Sequence, residues 1–492
     1  YMTSDAGLSS NAENISISDL NASVTDYSVK YDLSALNALD SLNGIQVISR
    51  LHTLGLSRSD LMNPEANMTS LNTNIQSALS GLPTQTVQYT GTDVDDLNQF
   101  LQNNTGKIVQ LTQDIQVYKN TNGSFGIIMV PSDTILDGNG HRLVMKAGYT
   151  EAPDVGVVLY VYKDGVIPST NCGVKNLSTD IPYVNSINVF SADNILIENN
   201  TLNNATKSGI MISDEYGSTV NGIIRGNTIN NVGDDAIAVY GNHSNLLIDS
   251  NRISGAKGFA GIAISCLQNG QQIRVDNETT GPHDIIVTGN VVSGCSGEAL
   301  YCIGSYKTYI TYNTLRDSIL EGVCLDSGCI GNYFAHNEVV NNGIAGGLPG
   351  VSIDNGIYNI VDSNNVYNNS CSGIKLVRTG LGNIIVNNIC TDNAYNQMGA
   401  KSSGIDIEPL AVETENLGYI DGLGSNWNVV LNNTVTGSHD FGVFIADDDT
   451  ANNGGSSCEN VIMYNKFSSA YTFGAADFSS MSSTVKNNIT LN

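Results

Sequence analysis

Four carboxylates and two cations stand close together in or beside four short phrases of similar build. Asp326 ends Gly322-Val323-Cys324-Leu325-Asp326, and Asp354 ends Gly350-Val351-Ser352-Ile353-Asp354. Asp406 and Glu408 share Gly404-Ile405-Asp406-Ile407-Glu408, and Lys375 and Arg378 lie in or just after the phrase between, Gly373-Ile374-Lys375-Leu376-Val377. If such phrases stack, Asp326 and Asp354 come about 5 Å apart and repel by roughly 3 kcal/mol at an effective dielectric near 20. A proton, a bound cation or a side-chain ammonium must offset that repulsion. A shared proton raises one pKa and leaves its neighbour low, the pairing that general acid and general base require. Carboxyls that close would suit a retaining glycosidase and a wider pair an inverting one. A divalent calcium ion would instead suit a lyase that acidifies the C5 proton of a uronic acid. The candidate catalytic residues are therefore Asp326, Asp354, Asp406 and Glu408. Lys375, Arg378, Tyr240 and Tyr301 are the candidates for substrate binding. The bland alternative is a solvated ladder of acidic residues.

Only stacked phrases bring these residues together, and the chain is full of them. From residue 194 the segments NILIENNTL, NGIIRGNTI, NLLIDSNRI, DIIVTGNVV, TYITYNTL, NYFAHNEV, NIVDSNNV, NIIVNNIC, NVVLNNTV and NVIMYNKF recur. Each carries an Asn near its end, at 200, 227, 251, 290, 313, 337, 364, 388, 433 and 465, with gaps most often of 23 to 27 residues. Between them runs a second phrase, a small residue followed by alternating apolar positions. Two short strands and a turn cannot bury a face alone, whereas stacked copies bury a continuous one. The sequence thus predicts an all-β chain, a right-handed parallel β-helix whose recurring Asn stack as a hydrogen-bonded ladder. Alternation sends two columns outward from the second phrase. One reads Asn188, Met211, Ala238, Ala263, Tyr301, Cys324, Ser352, Lys375, Asp406, Phe444. The other reads Phe190, Ser213, Tyr240, Ser265, Ile303, Asp326, Asp354, Val377, Glu408, Ala446.

Residues 1–90 differ from the repeating region. Apolar positions at helical spacing across 33–82 predict short helices, forming a small N-terminal domain or sleeve ahead of a β-helix over 91–492. Thr92-Asp93-Val94-Asp95-Asp96 supplies an N-cap and acidic first-turn residues for a capping helix near 93–104. That helix-then-strand opening resembles the cap that closes the core in secreted pectate-lyase-like β-helix proteins. A second resemblance lies in Gly233-Asp234-Asp235-Ala236-Ile237-Ala238, which is similar to the G-D-D-x-I-A segment of the polygalacturonase family. It implies that Asp234 and Asp235 form an acid–base pair acting on water, a second candidate pair here. The chain departs from that family elsewhere: Lys207-Ser208-Gly209 replaces its N-T-D segment, Gly258-Phe259-Ala260-Gly261 replaces its G-H-G, and Ile374-Lys375-Leu376 only loosely echoes its R-I-K. Polygalacturonase activity itself is not expected. A helical region ahead of a β-helix also resembles the lacto-N-biosidase type of glycosidase, whose Asp pair has no matching segment here.

Asp447-Asp448-Asp449 closes another coil and is the candidate calcium-binding run, although such runs are more often solvated turns. The glycosidase readings require no cofactor, and calcium is the one cofactor that the lyase reading and this acidic run admit. Nine cysteines, an odd number, show neither C-x-x-C nor zinc-ligand spacing, and no particular disulfide is expected.

The composition fits this picture. Among 492 residues there are 62 Asn and 50 Gly, which are poor in helix interiors and speak against helical bundles. The net charge is −26, yet only 14% of residues are charged and 41% are hydrophobic, so the chain is acidic without being disordered. Such a charge argues against nucleic acid or anionic membranes as partners. With no apolar run of 18 residues, no membrane insertion is expected. The first residue is Tyr and the opening lacks a signal-like pattern, which suggests a mature secreted or cell-surface chain. The expected partner is a glycan, and a neutral one because few basic residues share the carboxylate face. The competing expectation is a non-enzymatic surface protein, an adhesin or the subunit of a fibre or sheath, since stacked coils propagate readily into oligomers and filaments.

Overall fold

The computed structural model describes residues 26–491 except 32, 41–45, 120–125, 160, 163–165, 168, 216, 269–270, 273–280, 396–402, 410–423, 448–454, 469–470, 472 and 481–482. The described residues divide into two compact units, one within 70–272 and 281–299 and one within 26–69 and 300–491. Both are built the same way: each coil contributes one strand to each of three parallel sheets, and strands pair with the equivalent strand of the next coil. The recurrent phrases are those strands.

In the 70–299 unit the Asn phrases give Ile195–Glu198, Val220–Arg225, Ser244–Asp249 and His283–Thr288 in one sheet. After each comes a short strand of a second sheet, such as Thr201–Asn203 or Thr228–Asn230. Between the two strands lies a corner of two residues. The first takes a left-handed backbone, as at Asn199 (φ 55) and Gly226 (φ 65), where Asn and Gly are the residue types that adopt it with least strain. The second is the ladder Asn. Asn200, Asn227, Asn251 and Asn290 are all buried. Their Nδ2 groups donate in series to the next Oδ1 at 3.0, 2.9 and 2.9 Å. The same Oδ1 also accepts the backbone N–H of the Asn one coil earlier, at 3.0 Å for Asn200 on Asn227. Each carboxamide therefore satisfies a corner that would otherwise bury unpaired backbone groups.

The strand Thr86–Tyr89 opens the first sheet of this unit, pairing in parallel with Ile108–Leu111, and between the two lies the helix Val94–Asn103, with Asp93 as N-cap accepting from Asp95 N at 3.0 Å. It buries Val94, Leu97 and Leu101, one face of an amphipathic helix.

In the 300–492 unit the ladder runs Asn313, Asn337, Asn364, Asn388, Asn433, Asn465 and Asn488, each linked to the next at 2.9–3.0 Å. Two further ladders run beside it. Asn359, Asn383, Asn428 and Asn460 occupy a second corner, and Asn342, Asn369 and Asn393 a third. The third sheet of this unit comprises Leu300–Ile303, Val323–Asp326, Val351–Asp354, Ile374–Val377, Ser403–Ile407, Phe441–Ile445 and Phe473–Asp477. Its register pairs Tyr301 with Cys324, Cys324 with Ser352, Ser352 with Lys375 and Lys375 with Asp406, the column read from the sequence.

The N-terminal helical region has Tyr27–Tyr31, Gln46–Thr53 and Arg58–Leu61 among its helices. These pack on the coils of the 300–492 unit rather than standing apart. Arg50, 2% exposed, donates its guanidinium to the carbonyls of Gly304 and Gly328 on successive coils. The Tyr27 hydroxyl donates to Asp362, and the Tyr358 hydroxyl donates to Asp40.

Candidate functional site: a carboxylate cluster on the third sheet

The strand ends of the third sheet in the 300–492 unit carry the cluster. Asp326 closes Val323–Asp326 and is half-buried. Three donors converge on it: the Tyr301 hydroxyl from the preceding coil reaches Oδ2 at 2.8 Å, and Ser327 gives its backbone N–H at 2.6 Å and its hydroxyl at 2.8 Å to Oδ1. Asp354 occupies the same strand-end position one coil on and is 9% exposed. Its Oδ2 is paired with the Arg378 guanidinium, while Oδ1 is buried with no hydrogen-bond partner. Burial, and next the Asp326 carboxylate, push the Asp354 carboxyl up to about 7, against the pull of Arg378 and Lys375. Arg378 reaches back because it follows the strand Ile374–Val377 in a left-handed conformation, φ 63, which turns the chain at that point.

Lys375 ties this pair to a second one. Its ammonium lies 2.8 Å from Glu408 Oε2 and 3.8 Å from Asp406 Oδ2. Burial pulls the Lys375 ammonium down, but the Asp406 and Glu408 carboxylates outweigh it and hold the group above its ordinary value. Asp406 is 3% exposed; Ser372 Oγ donates to its Oδ2 at 3.3 Å, and Oδ1 has no partner. Burial, then the neighbouring Glu408, hold Asp406 well above the carboxylate range. Four carboxyl groups thus face two cations, and the two most buried of the four, Asp354 and Asp406, are the two that are raised. Burial in a poorly hydrated setting favours their neutral form.

The structure thus gathers Asp326, Asp354, Lys375, Arg378, Asp406, Glu408 and Tyr301. Tyr240 belongs to the 70–299 unit, where its hydroxyl donates to Asp235. Asp235 is fully buried and also accepts the Ala260 N–H at 2.8 Å. Burial pushes it up to about 7, against the hydrogen bonds from Tyr240 and Ala260, with Asp234 and Glu298 adding to the rise. Asp234 is half-buried and raised by that burial, with Lys207 opposing. Asp447 is exposed, and Asp448 and Asp449 lie outside the described residues. Among the described residues no three His, Cys, Asp or Glu side chains converge as a metal site. Ser327 and Ser372, which orient Asp326 and Asp406, escaped the sequence reading. Ser327 follows its partner directly, and an Asp-Ser pair at a strand end is the one local signal that points to it.

Residues 163–280 match the model of the right-handed β-helix region. The fold is a right-handed parallel β-helix. Solved β-helix structures similar to this one include the A-module of a mannuronan C-5 epimerase from Azotobacter vinelandii, at 12% identity and a TM-score of 0.46 over 85% of this chain and 97% of that one. A periplasmic alginate epimerase is similar at 12% identity and 0.44 over 85% and 88%. The tailspike of E. coli bacteriophage HK620 is similar at 14% identity and 0.49 over 80% and 74%. No curated protein matches the chain in sequence. Among the described residues no helix of this β-helix protein is long and apolar enough to cross a membrane.

Proposed function

We propose that the protein is a secreted glycoside hydrolase acting on a neutral glycan, with Asp354 as general acid and Asp326 as its partner carboxylate. The observation that carries this reading is the pair of carboxyls at equivalent strand ends of adjacent coils, Asp326 held by the Tyr301 and Ser327 hydroxyls and Asp354 buried, which pushes its pKa up to about 7. A group of that kind can hand a proton to a leaving glycosidic oxygen near neutral pH. Equivalent positions on adjacent coils lie about 4.8 Å apart, closer to the roughly 5 Å of retaining enzymes than to the wider inverting pair. In that geometry Asp326 attacks the anomeric carbon, and the Tyr301 hydroxyl and Ser327 hold it in place. Asp354 first protonates the leaving oxygen and then deprotonates the water that releases the sugar.

Neutrality of the substrate follows from the cations. Lys375 and Arg378 are engaged with Glu408 and Asp354, so neither is offered to a uronate carboxylate. Reducing-sugar release from a panel of neutral polysaccharides, by wild type, Asp326→Asn and Asp354→Asn, tests the reading. Release by wild type that both variants lose is the expected result. Equal release by all three, or none by wild type, would sink it.

A further inference from the structure

The 70–299 unit carries a second feature on its own third sheet that the carboxylate cluster does not use. Strands Asn185–Phe190, Ile210–Ser213 and Ile237–Tyr240 pair in register, aligning Asn188 with Met211 and Ala238, and Phe190 with Ser213 and Tyr240. A cleft of about 660 Å³ opens over these positions. Its floor has an unusual design. To reach Asp235, five residues earlier, the Tyr240 side chain must run back along its own strand, across Ala238. Ala238, two residues earlier on the same face, is fully buried. The phenol is thus pinned at its tip, and Tyr240 and Met211 both line the cleft.

Asn188 lines the same cleft, is 5% exposed, and its Oδ1 accepts no hydrogen bond from the chain. A buried carbonyl oxygen without a donor is a destabilising feature. A ligand hydroxyl entering the cleft would relieve it. The rim carries Asp214, Glu215 and Asp234 against Lys207, an excess of two formal negative charges. A uronate would meet repulsion there.

We infer that this cleft binds one ring of an uncharged glycan, stacked on Tyr240 and Met211 and donating a hydroxyl to Asn188 Oδ1. A flat, partly apolar ring face matches the pinned phenol, and ring hydroxyls match the amide and carboxylate oxygens around it. Asp235 acts here as a positioning residue, fixing the Tyr240 ring. The inference takes its ligand class from the glycan reading above, yet binding here needs no hydrolysis.

Isothermal titration calorimetry of the full chain carrying Asp326→Asn, which prevents turnover under that reading, is the direct test. The probes are cellohexaose, mannohexaose, xylohexaose and, as an anionic control, hexagalacturonate. At least one neutral probe should bind, and Asn188→Leu or Ser213→Trp on the same background should weaken it tenfold or more. Leu at 188 suits its neighbours Val158 and Met211, and Ser213 is only half-buried, so both variants should fold. Circular dichroism checks that they do. Failure of every neutral probe to bind, unchanged affinity in either folded variant, or equally tight hexagalacturonate binding would overturn the inference. Binding that the cleft variants lose, in a protein whose wild type releases no sugar, would sink the hydrolase reading and leave the cleft standing.

Discussion

The Arg378 guanidinium is paired with Asp354, and Asp354 nevertheless holds its proton up to about pH 7. A cation in contact ordinarily keeps a carboxyl ionised. Here burial and the Asp326 carboxylate on the neighbouring coil outweigh it, so the ion pair sets how high the pKa rises and does not reverse its direction.

Replacing that cation should therefore move a titration. In Arg378→Gln the Asp354 carboxyl loses its opposing charge, and its pKa should climb further, by about 1 unit or more. The basic limb of any pH–rate profile should shift alkaline by the same amount. Where turnover is too slow to follow, carboxyl chemical shifts in an Asp-labelled sample report the same change. An unshifted Asp354 would show that the guanidinium contact is not formed in solution.

Stability should fall as pH rises through neutrality. The unfolded chain releases the Asp354 proton near 3.8, whereas the native protein keeps it to about 7, and Asp235 behaves in the same way. The native state binds these protons more tightly. Their contribution is full below the unfolded value and is lost as pH climbs through 7. A rise from 3.8 to about 7 corresponds to about 4 kcal/mol for each group. Urea unfolding at pH 5 and pH 8 should show the wild type losing more stability than Asp354→Asn or Asp235→Asn. Parallel pH dependences in all three proteins would count against protonated native carboxyls.

The extent to which sequence disclosed these sites follows from periodicity. The columns that join Asp326 to Asp354 and Lys375 to Asp406 were legible because each lies a whole coil from the next, at a fixed offset from a small residue and an apolar alternation. The ladder from Asn313 to Asn465 was legible for the same reason. Its companions, such as Asn359 with Asn383 and Asn342 with Asn369, sit in corners where the flanking residues vary, and Asn-rich turns hid them. The docking of the helical region could not be read at all. Its anchors, Arg50 on Gly304 and Gly328 and Tyr27 on Asp362, are single contacts across about 250 to 340 residues with no repeat to announce them. For Tyr240 the outward column gives a direction but no reach. Its side chain folds back on Asp235 in its own coil instead of extending to a neighbour.

Lys375 should be a keystone whose removal is worse than that of the charges it serves. With Lys375→Met, Glu408 loses the ammonium that lies 2.8 Å from its Oε2, beside the buried Asp406, and a loss of about 3–5 kcal/mol is expected. Adding Glu408→Gln to that variant removes the stranded carboxylate and should restore at least half of the loss. Thermal and urea melts of the two single variants and the double variant form the cycle. Strict additivity would mean that Lys375 and Glu408 do not interact.

The ladder makes a positional claim about stability. Asn364 sits in the interior of its ladder: its Oδ1 accepts both the N–H and the side-chain amide of Asn337, and its Nδ2 donates to Asn388 Oδ1 and to the Phe334 carbonyl. Asn364→Ala therefore orphans groups on two neighbouring coils as well as removing its own. At about 1–3 kcal/mol for a buried group left unpaired, the variant should lose about 2–4 kcal/mol. Asn488 accepts from Asn465 and donates to the Ile462 carbonyl in a more exposed coil, so Asn488→Ala should lose about 1 kcal/mol. Water can take over its partners, whereas it cannot reach the interior corner at 364. Equal losses at both positions in urea unfolding would mean that the ladder contributes through local turn geometry, and that its hydrogen bonds do not couple one coil to the next.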